Sequence, residues 1–283
     1  STMKSREDNA MKSIKENLAM EKQRVVEVDL SREEDEDVYT EKKATQLTSM
    51  ALPDKDGLIE GEEDRMEQSA NDGRDDDLSH LLKGRYPDNM NPGEVGCVTS
   101  HLKLLKEWLE ETDEPMLLVM EDDCDINIAK SWGFTWKQFQ AKVPYDYDVV
   151  QLAIINPGVI SVKLHKRFVN DFSTACYMIT RHHAQKLVGF HCRDDKYKLD
   201  QGAKPRAVAD DLIYNSGNTF AIPLFLYKIE LGSSIHDEHI DIFHRSSHDG
   251  LRQFWQNQSA DVKDWNEIFE YDPYYGRLPP QPS

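Results

Sequence analysis

Met116-Leu117-Leu118-Val119-Met120-Glu121-Asp122-Asp123-Cys124-Asp125 is the stretch that decides the fold. Its first five residues are apolar without a break and too few for a buried helix, which is the pattern of a strand covered on both faces. Four carboxylates then follow within five residues. Like charges this close repel, and near a core they are costly unless something positive offsets them. A divalent cation with oxygen ligands is the simplest such partner, and Asp123-Cys124-Asp125 has the spacing to direct two carboxylates at one ion. The competing reading is that these acids cap a helix or face solvent, and spacing alone leaves both open.

Working outward, Thr112-Asp113-Glu114-Pro115 breaks a preceding helix that starts at Asn91-Pro92-Gly93-Glu94, with Asn as cap and Pro at the first helical position. Val98, Leu102, Leu105 and Leu109 mark the apolar face of that helix. Downstream, buried strands are predicted at Val149 to Ile155, Ala175 to Ile179 and Phe220 to Ile229. Helices are expected around Trp136 to Val143, after the Thr180 cap, and from Asp210-Asp211 onward. Strands alternating with helices predict an α/β fold with a mostly parallel central sheet flanked by helices. Lys4 to Lys22 reads as an amphipathic helix and Val25 to Leu30 as a strand. The expected organisation is a single domain over 1–270, with 31–86 as a partly mobile acidic insertion and 271–283 as an irregular tail.

The chain has 283 residues, with 52 acidic against 34 Lys and Arg, a formal net charge of -18. That charge repels a phosphate backbone, so nucleic acid is excluded as a general partner. Between Ser31 and Asp77 there are 17 acidic and 6 basic residues, which concentrates the surplus in the insertion. The four cysteines form no CxxC pair, which fits a reducing, cytoplasmic compartment. No apolar run is long enough to be a transmembrane segment.

Two linked blocks resemble family 25 glycosyltransferases, which include bacterial lipopolysaccharide enzymes, collagen galactosyltransferases and proteins of large DNA viruses. They are Gly93-Glu94-Val95-Gly96-Cys97-Val98-Thr99-Ser100-His101-Leu102 and Leu117 to Asp123. Lys4 to Asn9, Asp148 to Leu152 and Ala175 to Arg181 agree with further family segments. The resemblance implies a GT-A-like, Rossmann-like fold and inverting transfer of galactose or glucose from a UDP-sugar, with Mn²⁺ or a similar ion. The implied acceptor is a hydroxyl of a glycan or of a hydroxylysine-type protein. For a viral member the implied location is host-cell cytoplasm, with a lumenal location the alternative.

Carried onto this chain, the resemblance makes Asp123 the first candidate metal ligand and Asp125 the second, and one of His236, His239, His244 and His248 the candidate to complete the shell, with His244, after Ile240-Asp241-Ile242-Phe243, the first choice. Glu121, Asp122, Ser100 and His101 are candidate donor-binding residues. Asp211 or Asp210 is the candidate general base on the acceptor hydroxyl, against the reading of a simple helix cap. Lys163, Lys166 and Arg167 are read either as a phosphate clamp or as a solvated basic face, and Trp132 and Trp136 as core packing or sugar stacking. A catalytically silent scaffold that binds partners through the acidic segment is the alternative reading.

Overall fold

The computed structural model describes 78–273 apart from 88, 157–161, 200–206 and 229–243, and in addition the backbone of three strands upstream. Those strands are β1 (Arg24–Val28), β2 (Leu47–Ala51) and β3 (Met66–Glu67). The helix expected over Lys4 to Lys22 and the tail beyond 273 lie outside the described residues. Within the stretch read as an acidic insertion, Leu78 and Leu82 are buried in the core, so that part of it is anchored.

Helix α1 (Pro92–Glu111) begins where the Asn-Pro-Gly-Glu signal places it. The Asn91 side chain accepts from the Glu94 N–H at 2.8 Å, and the Glu94 carboxylate accepts from the Asn91 N–H at 2.9 Å, a reciprocal cap that satisfies two otherwise orphaned donors. Strand β4 (Met116–Glu121) follows, then the two-residue β5 (Cys124–Asp125) and α2 (Trp136–Gln140). β6 (Val149–Ala153), β7 (His165–Lys166) and β8 (Cys176–Thr180) lead into α3 (Arg181–His191), whose first turn is capped by Thr180. A small hairpin of β9 (Cys192–Arg193) and β10 (Lys196–Tyr197) precedes α4 (Ala209–Tyr214) and the long β11 (Thr219–Tyr227). α5 (Arg245–Gln253) and α6 (Trp265–Phe269) close the described chain.

The main sheet has the order β3-β1-β2-β4-β8-β6-β11-β5, with β7 also on β11. Period-two alternation sends successive side chains of β4 to opposite faces. Leu117 and Val119 pack with Val98, Leu102 and Trp108 of α1 and with α3 and α4. Leu118 and Met120 join the other core, with Phe139, Leu251, Trp255 and Phe269. Both faces are therefore covered by helices, which is why β4 reads as an unbroken apolar run. Trp132 lies in an aromatic cluster with Phe134, Trp136 and Phe225, so the tryptophans serve as packing.

The α/β architecture agrees with expectation, but the pairing is less parallel than predicted. β6 and β11 are parallel neighbours, whereas β8 is inserted antiparallel between β4 and β6. A parallel return needs a helical crossover, and among the described residues between β6 and β8 there is none, so the chain re-enters from the end that β6 left. Pro223, inside β11, cannot donate to the ladder, and the β6–β11 register shifts between Ala221 and Phe225. Indole N–H groups serve the carbonyls there: Trp255 donates to Pro223 and Trp132 to Leu224.

Ahead of β11, Gly217 lies in the turn that leads into the strand. A methyl group there would meet His183 Cε1 at 2.6 Å and Asp148 Cβ at 2.8 Å, both belonging to buried or hydrogen-bonded side chains. Gly217→Ala is expected to destabilise the fold by about 1 to 3 kcal/mol through overpacking. Urea unfolding of the two proteins measures this, and equal midpoints would refute the close approach.

Candidate active site at the end of strand β4

As β4 leaves the sheet, the Glu121 N–H donates to the Ala175 carbonyl at 2.8 Å and fixes the strand end against the loop ahead of β8. The chain then turns, and β5 folds back onto the end of β11, with Cys124 opposite Tyr227 and Asp125 opposite Leu226. Lys228 holds the turn from the other side: its N–H donates to the Asp123 carbonyl at 2.6 Å and its Nζ to the Asp122 carbonyl at 2.8 Å. Asp125 is engaged locally: its Oδ1 accepts from the backbone and side-chain nitrogens of Asn127 and caps a short 3₁₀ turn over Ile126–Ser131.

Glu121 is held by a relay across both layers. Tyr177 of β8 meets His101 Nδ1 at 3.0 Å, and His101 Nε2 meets Glu121 Oε1 at 3.2 Å. A hydroxyl donating to Nδ1 leaves Nε2 as the N–H that donates to the carboxylate. Thr174 Oγ1 donates to the same oxygen at 2.7 Å. Helix α1 thus supplies His101, one turn after Cys97, from its buried face. The Cys97, His101 and Glu121 ligand atoms lie within 4.8 Å of one another, a spacing compatible with a divalent cation. Burial, and then the charges of Glu121, Asp210 and Asp123, push the Cys97 thiol well up, so without a cation it stays protonated.

Among the described residues two carboxylates stand apart from the others. Asp123 Oδ1 and Asp210 Oδ1 are out of reach of solvent and have no hydrogen-bond partner. Burial, then the charges of Glu121 and Asp122, hold the Asp123 carboxyl well above its usual range, and Lys228 draws it back only in part. Asp210, in the first turn of α4, is pushed up to about 6 by burial, offset by Arg167 and by a backbone hydrogen bond from Ser173, and raised further by Glu121 and Asp211. Ser173 takes up φ 96°, a left-handed value that side chains rarely adopt, and its carbonyl accepts from Tyr214 and Gln151. Its strained backbone therefore faces the carboxylate cluster.

The candidates predicted from sequence divide accordingly. Glu121, Asp123, His101 and Asp210 share one electrostatic neighbourhood that also contains Cys97 and Thr174. Asp211 instead accepts from Asn215 Nδ2 at 2.8 Å along its own helix. The Ser100 hydroxyl donates back to the Gly96 carbonyl. His244 begins α5 beside Tyr227: the rings are 5.9 Å apart, the Tyr227 hydroxyl donates to the His244 carbonyl, and Tyr227 in turn feels the charge of Asp123. Arg167 is spread between Gln151 and Asn215 over the Tyr214 ring, and Lys166 is bound to Asn218 over Phe220. Sequence reading gave no site role to Ser173, Thr174, Tyr177 or Lys228; Tyr177 lies within the Ala175 to Arg181 segment, and for the other three only their positions beside strand ends carry any signal.

Among the described residues no helix is long and apolar enough to cross a membrane. Neither a curated protein nor a solved structure matches the chain. A family model does, over 68–200: Glycosyltransferase family 25 (LPS biosynthesis protein). That span contains Cys97, His101, Glu121, Asp123, Ser173 and Thr174, and it ends before Asp210. It is through this segment, the one that builds the β4 end of the cluster, that the chain is similar to glycosyltransferase family 25.

Proposed function

We propose that the protein transfers a hexose, galactose or glucose, from a UDP-sugar to a hydroxyl of a glycan or of a hydroxylysine-type protein, with inversion and with Mn²⁺ or a similar divalent ion. The observation that carries the reading is the pair of sequestered, unpartnered carboxylate oxygens of Asp123 and Asp210 in one cluster. A fold that merely used these acids structurally would pair them, since an unsatisfied buried carboxylate costs several kcal/mol, of the order of 1 to 3 or more.

Asp123 is the first ligand in this reading, with His244 beside Tyr227 as the second and Asp125 as a weaker third because its side chain already caps a turn. Glu121, held by His101 and Thr174, fixes the strand end beneath the donor, and Asp122 flanks it. A divalent ion at this place supplies Lewis acidity that offsets the charge growing on the departing diphosphate. Asp210 takes the proton of the attacking hydroxyl. Burial, tempered by Arg167, pushes its carboxyl up to about 6, close to neutrality, where a general base works best. Asp211, bound to Asn215, holds the helix turn that presents Asp210.

Asp123→Asn is expected to weaken Mn²⁺-supported binding of UDP at least tenfold while raising the melting temperature of the metal-free protein, because a buried charge and its repulsion are removed together. Calorimetric titration and thermal melts measure both. Unchanged UDP affinity with and without Mn²⁺ sinks the donor-site assignment.

The acid-base behaviour of Asp210 gives a separate expectation. Its folded-state value of about 6 exceeds its ordinary 3.8, so across that window the folded protein holds the extra proton. Stability of the metal-free protein therefore falls as pH rises from about 4 to about 6. Sugar transfer shows the opposite trend and rises through pH 6 as the base ionises. Asp210→Asn flattens the first profile in this window and abolishes the second. A wild-type stability profile that rises with pH across this window, after subtraction of the Asp210→Asn profile, contradicts the assignment.

A further inference from the structure

Three of the six large apolar side chains exposed among the described residues fall within five consecutive positions: Phe168 at 37%, Val169 at 72% and Phe172 at 39%. Their loop is held unusually firmly for one so exposed. The buried Asp171 carboxylate accepts from the Phe168 N–H at 2.8 Å, Asn156 Nδ2 at 2.7 Å and His165 Nε2 at 3.2 Å. Phe172 and Ile155 exchange both backbone hydrogen bonds. Gln151 Nε2 lies below the loop and donates to the carbonyls of Asp171, Phe172 and Ser173. The Phe168 ring stacks on His165 at 4.9 Å.

A loop so pinned cannot fold its apolar side chains away, so their exposure is a fixed property of the surface. The chain then runs without interruption into the site: the next residue, Ser173, bonds Asp210, and the one after it, Thr174, bonds Glu121. An aromatic surface that adjoins an acid-lined transfer site suits a ligand with one apolar face and a rim of hydroxyls. A pyranose ring in its chair form has both, with C–H groups on one face to lie on an aromatic ring and hydroxyls directed outward at its edge.

We propose that Phe168, Val169 and Phe172 form the acceptor platform, determining specificity by seating the hexopyranose ring whose hydroxyl is directed to Asp210. The proposal rests on the transferase reading above and deepens it from the donor to the acceptor. The acceptor it names is a saccharide, not a bare hydroxylated peptide.

The test uses the full chain with phenylalanine rings labelled for NMR and titrated with methyl β-D-galactopyranoside and methyl β-D-glucopyranoside. The expected result is saturable shifts of the Phe168 and Phe172 rings, with Phe190, exposed on α3, left unmoved as the internal control. Replacing both rings, Phe168→Ala with Phe172→Ala, is expected to weaken this binding at least fivefold, and the Phe190→Ala protein, matched to it by thermal melt, is expected to bind as the wild type does. In turnover it raises the KM for a saccharide acceptor and leaves UDP release to water unchanged. The proposal is overturned if neither glycoside moves the two rings, if Phe190 shifts equally, or if a hydroxylysine peptide alone does so. Asp123→Asn separates the two readings: it is expected to remove Mn²⁺-UDP binding and leave the saccharide shifts intact. If wild-type protein fails to bind UDP with Mn²⁺ while the rings still respond, the donor reading falls and the saccharide platform stands.

Discussion

Several carboxylates at the exit of one strand is the constraint around which the rest of this structure is arranged. Glu121, Asp122 and Asp123 leave β4 together, and Asp210 is brought to them from α4. Two unit charges at close range cost several kcal/mol even at an effective dielectric of about 20. Neutralising contacts come from every surrounding element. His101 is sent down from α1, Thr174 from the loop before β8, and Lys228 from beyond β11. Arg167 follows β7 and tempers Asp210. The offsets are incomplete at Asp123 and Asp210, whose Oδ1 atoms are left without a hydrogen-bond partner.

The antiparallel insertion of β8 has a functional consequence. Because β8 runs against β4, its start faces the end of β4, and Met120 pairs with Cys176. Thr174 and Ser173 therefore arrive at the carboxylates. A parallel β8 would bring the other end of the strand, Thr180 and Arg181, to that position. The same reversal brings the Phe168 to Phe172 loop to the site edge. One topological choice thus supplies the Glu121 contact, the strained Ser173 backbone beside Asp210 and the apolar surface adjoining both.

Local physics made much of this legible in the sequence. The Asn91-Glu94 cap, the two-faced burial of β4 and the Thr180 cap each depend on residues only a few positions apart, and each was read from them. The direction of β8 was not, because alternation of buried residues is identical in parallel and antiparallel strands; only a missing crossover helix betrays it. The Asp123-Cys124-Asp125 spacing suggested a common ion for both acids, but two residues of β5 on the edge of β11 redirect Asp125 into a turn. Between Asp210 and Asp211 the sequence held no preference. Helix geometry separates them: one is turned to the cluster and the other is bound to Asn215 four residues on.

Rigidity is the property these features share. Asp171 receives three donors, Gln151 serves three successive carbonyls, and Glu121 is gripped from two elements. Dipoles and donors fixed before a ligand arrives need no reorganisation during reaction, and that is where an enzyme obtains most of its electrostatic advantage. The strain at Ser173 and the raised carboxyl of Asp210 are costs such an arrangement accepts in advance. They are tolerable because the two cores on either face of the sheet hold the strand ends in place, so repulsion among the acids cannot relax by separating them. The remaining relief is chemical: positive charge beside Asp123 and a proton on Asp210, the two things that burial and like charge make each carboxyl favour.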